Sequence, residues 1–274
     1  MIPRSAYEEI VRAALREDAP NGDPFGEAVR GDGSGVFLAG AAGLFCGGPV
    51  AGEVFRQLDP SVTVTFLPEG RRVAPGDRLG EASGPLGALL RGERVALNFL
   101  QRLSGVATAT SRYVEKISGY GTRLLDTRKT TPGLRALERY AVRVGGGHNH
   151  RFSLSDGILV KENGIRAAGG IAEAVATARK AAHHLLRVEV EAEELAQVDE
   201  AVRSGADAVL LDNMSPATVR EAVLRFGDTV FLEASGGIHL GNVEEYARTG
   251  VPAIAVGAIT HSAPALDISF ELAP

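Results

Sequence analysis

Apolar and polar positions along the chain fall into three successive regimes. The opening segment Ser5-Ala6-Tyr7-Glu8-Glu9-Ile10-Val11 has the form of a capping box leading into an amphipathic helix, with Tyr7, Ile10, Val11, Ala14 and Leu15 on its apolar face. A loop dense in turn formers follows at Glu17-Asp18-Ala19-Pro20-Asn21-Gly22-Asp23-Pro24. Short apolar runs come next at Val36–Ala42, Val50–Phe55 and Val62–Leu67, and the stretch from Pro68 to Asp77 reads as a turn region between strands. From Glu93 the period becomes helical. Val95, Phe99, Leu100, Leu103, Val106, Ala107, Thr110, Tyr113, Val114 and Ile117 recur at spacings of three and four, and Ser104-Gly105 is expected to kink this stretch or split it in two.

Beyond Gly121 apolar strands alternate with helical segments. The strands are expected at Arg123–Asp126, Ile158–Lys161, Leu186–Glu191, Ala208–Asp212, Val230–Ser235 and Ala253–Gly257. The helices between them include Ile171–Ala182, Glu193–Ser204, Pro216–Phe226 and Asn242–Thr249. Near-continuous apolar strands in this alternation imply a parallel sheet covered by helices. Each strand also ends in a polar or glycine-containing group, which favours a closed α/β barrel with its strand ends on one rim over a doubly wound sheet. Only six strands are evident, so the expected fold is α/β: a small N-terminal α+β domain over residues 1–105, then a TIM-like barrel of fewer than eight strands over 106–274. The last few residues are free to return to the N-terminal domain.

Composition narrows the function classes. The 274 residues include no Trp and 5% aromatics, so the core rests on Val, Leu, Ile and Ala. A formal charge of −5 argues against a broad nucleic-acid surface, so any anion site must be a local cationic cluster. The single cysteine, Cys46, excludes an intrachain disulfide and reads as an inert buried thiol, in keeping with a reducing, cytoplasmic location. The N-terminus does not read as a signal peptide. The longest uncharged run, Val36 to Gly52, is broken by five glycines and Pro49, which suits strands and turns rather than a membrane span.

Candidate chemistry gathers at the strand ends. Leu124-Leu125-Asp126-Thr127-Arg128-Lys129-Thr130-Thr131-Pro132-Gly133 sets two adjacent cations on a rigid support, suited to a small substrate with several negative charges. Lys161 ends the second strand. Glu191 and Asp212 end neighbouring strands and suit a hard cation such as Mg2+, held directly or through water; they equally suit capping of the following helices. Ser235-Gly236-Gly237 and Val256-Gly257-Ala258 follow the last two strands, where glycine and helix-start N–H groups form phosphate cradles. In Gly145-Gly146-Gly147-His148-Asn149-His150-Arg151 the H-x-H spacing lacks a third zinc ligand, and Arg151 is expected to project into the site with His150 orienting or contacting substrate. His183-His184 read as surface residues. No dinucleotide fingerprint, P-loop or nucleophile elbow is present.

Several of these runs together resemble the quinolinate phosphoribosyltransferase family. They are Glu93-Arg94-Val95-Ala96-Leu97-Asn98-Phe99-Leu100-Gln101-Arg102-Leu103-Ser104-Gly105, the Leu125–Gly133 run, Asn149-His150-Arg151, Val188-Glu189-Val190-Glu191, Leu211-Asp212-Asn213 and Glu233-Ala234-Ser235-Gly236-Gly237-Ile238. The resemblance implies phosphoribosyl transfer from phosphoribosyl pyrophosphate to quinolinate in NAD biosynthesis, giving nicotinate mononucleotide, pyrophosphate and CO2. It implies a homodimer, or a hexamer built as a trimer of dimers, in which the small N-terminal domain covers the partner's barrel and Arg94 reaches into the neighbouring site. Arg128, His150, Arg151 and Lys161 would surround the dicarboxylate, with Lys129 near the pyrophosphate and Thr127 also binding substrate. Glu191 and Asp212 would serve Mg2+ and ribose, and the loops at Ser235-Gly236-Gly237 and Val256-Gly257-Ala258 the phosphate. Lys129, Lys161, Glu191 and Asp212 are thereby the expected catalytic residues, with no nucleic-acid or membrane partner.

The chain departs from the family pattern in two places. After the second barrel strand the family usually reads Lys-Asp/Glu-Asn-His, and here the run is Lys161-Glu162-Asn163-Gly164. The loop Gly22-Asp23-Pro24-Phe25 also lacks the family's usual Thr pair. The alternatives are a fold relative with a changed substrate, namely nicotinate phosphoribosyltransferase, or a molybdenum-uptake-associated accessory or binding protein. Arg128, Lys129, Asn149-His150-Arg151 and Lys161 occurring together argue for the quinolinate enzyme.

Overall fold

The structure is a computed structural model and describes residues 2–273. Its strands, in chain order, are β1 Asp32–Ala39, β2 Gly43–Leu44, β3 Thr63–Phe66, β4 Arg72–Val73, β5 Arg78–Pro85, β6 Arg123–Leu125, β7 Ile158–Val160, β8 Val188–Ala192, β9 Ala208–Asp212, β10 Phe231–Ser235, β11 Ala253–Ala255 and β12 Ile268–Leu272. The chain divides into two compact units, one of Met1–Ser111, Thr130–Gly146 and Ile259–Pro274, the other of Arg112–Lys129 and Gly147–Ala258.

In the first unit an antiparallel sheet has the order β12-β1-β5-β3, and β2 pairs with β4. Phe37 on β1 anchors the core, with its ring centroid 4.6 Å from that of Phe270 and 5.1 Å from that of Phe66. The helix over Glu8–Asp18 buries Tyr7 and Val11 as the periodicity predicts, but the capping box does not form. Ser5 lies inside a 3-10 turn at Arg4–Ala6, so its hydroxyl is not at the helix start, and Glu8 instead pairs with Arg4 at 3.5 Å. The apolar run Val50–Phe55 lies in a helix, Gly48–Leu58, opened by Pro49 and burying Val50, Ala51, Val54 and Phe55 at helical spacing. Its first amides are satisfied from a distance: Glu69 accepts the N–H groups of Gly47 and Gly48 at 3.0 and 2.9 Å and the Tyr140 hydroxyl at 2.9 Å.

The helix beginning before Glu93 is continuous over Leu86–Ile117, with neither kink nor split at Ser104-Gly105. Gly105 has a different purpose. A Cβ there would stand 2.1 Å from the carbonyl oxygen of Pro264, so its absence lets a second backbone approach the helix. The polar centre of this unit is Glu138, fully buried on the helix Arg135–Val144. It accepts from Arg102 at 2.6 Å, from the Thr131 hydroxyl at 2.7 Å and from the Thr131 amide at 3.1 Å.

The second unit is a six-stranded parallel sheet in the order β6-β11-β10-β9-β8-β7, with an isolated parallel bridge from Leu125 to His148 beyond β6. Helices Glu162–Ala168, Ile171–Ala181, Leu195–Arg203, Pro216–Phe226 and Val243–Ala247 lie between the strands in sequence. All six expected strands and four expected helices are present, with ends shifted by a residue or two. Strand β9 shows why: Ala208 to Leu211 are buried on both faces and only Asp212, at its C-terminal end, opens to solvent. The small α+β domain and the parallel α/β domain thus match the expected fold class.

The Arg102–Glu138 pair carries a stability prediction. Arg102→Leu should lower unfolding free energy by about 3 kcal/mol, because it leaves a buried carboxylate without its cation. Urea unfolding of the variant against the parent measures this.

Candidate active site

Side chains two residues apart on consecutive parallel strands point to the same side, and here they build one cavity. Leu159 and Lys161 come from β7 and its end, Leu210 and Asp212 from β9, Glu233 and Ser235 from β10, and Ala255 from β11. Glu191 on β8, with Thr127, Arg128 and Lys129 after β6, completes much of the wall. The cavity has a volume of about 370 Å3, and its lining also includes His150, Arg151, Asn213, Gly236 and Gly237. Four cations, Arg128, Lys129, Arg151 and Lys161, face it.

Asp126 sets the position of two of those cations. Its carboxylate is fully buried at the end of β6 and accepts from the Asn149 side chain at 2.5 Å and from the His150 amide at 2.8 Å. Main-chain bonds between Leu124 and His148, and between His148 and Asp126, complete the junction at 2.8 and 3.0 Å. Arg151 then donates from Nη1 to the Gly157 carbonyl at 2.6 Å. Burial lowers the pKa of Arg151, the nearby Arg128 charge lowers it further, and Glu189 opposes both. The two guanidiniums therefore repel each other, a strain that a dianionic ligand would relieve.

A buried acid pair lies against His150. Its Nε2 is 3.2 Å from Glu189 and 3.6 Å from Glu233, and its Nδ1 accepts the Arg151 N–H at 2.6 Å. Burial, the charge of Glu189 and that of Asp126 push the Glu233 carboxyl up to about 8 against the pull of His150. For His150, burial lowers the pKa, but the hydrogen bond to Glu189 and the charges of Glu233 and Glu189 outweigh it and raise the pKa overall. An imidazolium, however, has no lone pair at Nδ1 to accept the Arg151 amide. The neutral ring carrying its proton on Nε2 satisfies both the Arg151 amide and Glu189.

The loop after β9 is held by conformation. Asn213 is the only non-glycine residue with positive φ (54°) among the described residues; its amide donates to the Ser235 carbonyl at 2.9 Å and its side chain to Asp212 at 2.7 Å. A Cβ on Gly236 (φ +86°) would stand 2.3 Å from Asn213 Oδ1, so only glycine lets the two strand-end loops meet.

Of the residues singled out in the sequence, Thr127, Arg128, Lys129, His150, Arg151, Lys161, Glu191, Asp212, Ser235, Gly236 and Gly237 line this one cavity. Val256, Gly257 and Ala258 follow β11 and do not line it, although the Val256 amide bonds the Leu125 carbonyl at 3.0 Å. Arg94 belongs to the first unit, on the helix Leu86–Ile117, and is not in the lining. Glu189, Glu233 and Asn213 were not anticipated as site residues. An acid inside an otherwise apolar parallel strand, as in Val188-Glu189-Val190 and Leu232-Glu233-Ala234, is the signal that marks the first two. The residues fit Mg2+: Glu191 and Asp212 offer hard oxygen donors at neighbouring strand ends in one cavity, with Lys161 taking one Glu191 oxygen at 2.5 Å.

Comparison with known proteins identifies the scaffold. The descriptions "Quinolinate phosphoribosyl transferase, N-terminal domain" and "C-terminal domain" match residues 28–104 and 106–271. The chain is 44% identical over 268 residues to a probable nicotinate-nucleotide pyrophosphorylase [carboxylating] of Bacillus subtilis, covering 97% of this chain and 93% of that protein. The chain belongs to the quinolinate phosphoribosyltransferase family. A human nicotinate-nucleotide pyrophosphorylase [carboxylating] is 41% identical over 282 residues, covering 99% of this chain and 93% of that one. The structure of the Francisella tularensis nicotinate-nucleotide pyrophosphorylase superposes with a TM-score of 0.95 at 41% identity, covering 100% of this chain and 98% of that one.

Within this quinolinate phosphoribosyltransferase fold, Gly164 lines a second cavity of about 420 Å3 that shares Arg128, Arg151, Leu159 and Lys161 with the first. A Cβ on Gly164 would meet only Val160, at 3.5 Å, an ordinary van der Waals contact, so the backbone there does not itself require glycine.

Glu233 also sets a pH dependence. Its folded pKa of about 8 lies above the ordinary 4.5, so the folded state holds this proton more tightly. The stability contributed is complete below pH 4.5 and is lost as pH rises to about 8. Glu233→Gln, which cannot ionise, should flatten that decline, as measured by urea unfolding across this pH range.

Proposed function

We infer that this protein transfers the phosphoribosyl group of phosphoribosyl pyrophosphate to quinolinate with loss of CO2, giving nicotinate mononucleotide and pyrophosphate in NAD biosynthesis. The observation that carries this is one cavity, in a chain of the quinolinate phosphoribosyltransferase family, that sets four cations against the carboxylates Glu191 and Asp212, with Glu233 buried and its pKa raised. That excess of positive charge suits a dianionic ring. Arg128 and Arg151 grip the two adjacent carboxylates of quinolinate, and Lys161 adds a third cation. At an effective dielectric near 20 each close charge pair is worth roughly 4 kcal/mol before desolvation.

Gripping the carboxylates orients the ring nitrogen towards the anomeric carbon of the ribose, and such positioning removes several kcal/mol of barrier. The nitrogen forms the new bond as the bond to pyrophosphate breaks, through an oxocarbenium-like ribosyl centre. Lys129 stabilises the departing charge, while the Ser235-Gly236-Gly237 loop holds the phosphate of the ribose. Mg2+ held by Glu191 and Asp212, directly or through water, supplies further positive charge to the pyrophosphate oxygens when bound. Once alkylated, the ring carries a positive charge that accepts the electrons released as the carbon–carboxylate bond breaks. CO2 leaves, the bonding pair stays on the ring carbon, and that carbon takes a proton from water, so no side chain is required as a general base.

The same reading places the protein in the cytoplasm, with no nucleic-acid or membrane partner. No helix among the described residues is long and apolar enough to cross a membrane. It also assigns assembly as a homodimer, or a hexamer of three dimers, with Arg94 serving the partner's cavity and the Val256-Gly257-Ala258 turn the phosphate.

Purified protein given phosphoribosyl pyrophosphate, Mg2+ and carboxyl-labelled quinolinate should release label as CO2 in step with nicotinate mononucleotide. Turnover of nicotinate without that release would sink the assignment. Arg128→Ala should lower kcat/KM for quinolinate by about a hundredfold with the thermal unfolding midpoint little changed; equal loss of both would make Arg128 structural.

A further inference from the structure

Glu189 and Glu233 have no part in the transfer steps set out above, yet both are nearly buried in strands where apolar residues are otherwise the rule. Their carboxyl oxygens and the His150 ring nitrogen lie within 4.8 Å of one another. Only one ring proton is available on that side. Nδ1 is taken as acceptor by the Arg151 amide, so Nε2 carries the hydrogen and donates to Glu189 at 3.2 Å rather than to Glu233 at 3.6 Å. Two buried carboxylates so close cannot both be charged, and Oε1 of Glu233 is buried with no protein hydrogen-bond partner. Glu189 is therefore the acceptor of the ring hydrogen, and Glu233 lies beside it with one buried oxygen unmet.

We propose that Glu189 and Glu233 are positioning residues for the transfer reaction, acting through His150: as the acceptor of the ring hydrogen and the buried acid beside it they lock the ring in its Nε2–H form, and the ring in turn fixes the Arg151 main chain against the cavity. The chain of contacts runs from β8 and β10 through the ring to a cation of the dicarboxylate site. Glu189 also offsets the Arg128–Arg151 repulsion before substrate arrives. An apolar residue at either position would pack but would leave the ring free to turn. Glutamine keeps a carbonyl acceptor for Nε2–H at position 189 and keeps the shape and polarity of the acid at position 233.

This inference rests on the cavity being the quinolinate site, and labelled CO2 release by the parent protein tests that reading separately. Steady-state kinetics of Glu189→Leu, Glu189→Gln, Glu233→Leu and Glu233→Gln, each confirmed folded by circular dichroism, tests the proposal. The leucine variants should raise KM for quinolinate roughly tenfold or more, with KM for phosphoribosyl pyrophosphate and kcat changed far less, and the glutamine variants should recover most of the loss. Nitrogen-15 NMR of labelled histidine should show His150 protonated at Nε2 in the parent and in Glu189→Gln, and an averaged tautomer signal in Glu189→Leu. The NMR readout needs no turnover, and it remains decisive should Glu233→Leu fail to fold. Folded leucine variants with unchanged quinolinate KM would overturn the proposal. So would glutamine variants as impaired as leucine variants, a parent ring protonated at Nδ1, or a stoichiometric metal ion bound by the three side chains.

Discussion

The buried carboxylate of Asp126 is the constraint on which the candidate site turns. A carboxylate with no access to water must be met by donors, and the Asn149 side chain and the His150 amide are two that meet it. Meeting that demand ties the segment after Gly147 to the end of β6, although more than twenty residues separate them in the chain. Arg128 lies two residues beyond Asp126, and Arg151 one beyond His150, so the same junction brings two guanidiniums to one cavity.

Charge in the cavity is arranged by burial as much as by residue identity. Four facing cations stand against Glu191 and Asp212, a margin of two that would fall to one were Glu233 not deep enough for its pKa to be raised. Arg128 and Arg151 stand in mutual repulsion that a dicarboxylate relieves. Such a site is organised before its ligand arrives, so little reorganisation remains when charge develops on the leaving group.

In the first unit, too, distant carboxylates do what local sequence does not. Glu69 satisfies the amides that begin the Gly48–Leu58 helix, and Glu138 gathers Arg102 and Thr131. Neither interaction has a local signature, because donor and acceptor are remote in sequence. The expected capping box at Ser5 failed for the complementary reason: its pattern was local, and a 3-10 turn took the residue out of position.

By itself the sequence determined the alternation of strands and helices beyond Gly121, the residues at each strand end, and through its motifs the family. Strand burial on both faces writes a continuous apolar run into the chain, and the first polar residue after it marks the rim, as at Asp212. The helical character of Val50–Phe55 and the continuity through Gly105 were decided by tertiary structure, since a short apolar run and a glycine each suit more than one local conformation. So were the proton on Glu233, the tautomer of His150 and the meeting of Asn213 with Gly236. Each depends on which side chains from separate strands share a low-dielectric space. Periodicity reports which face a residue occupies; what stands opposite that face is decided only when the strands pair.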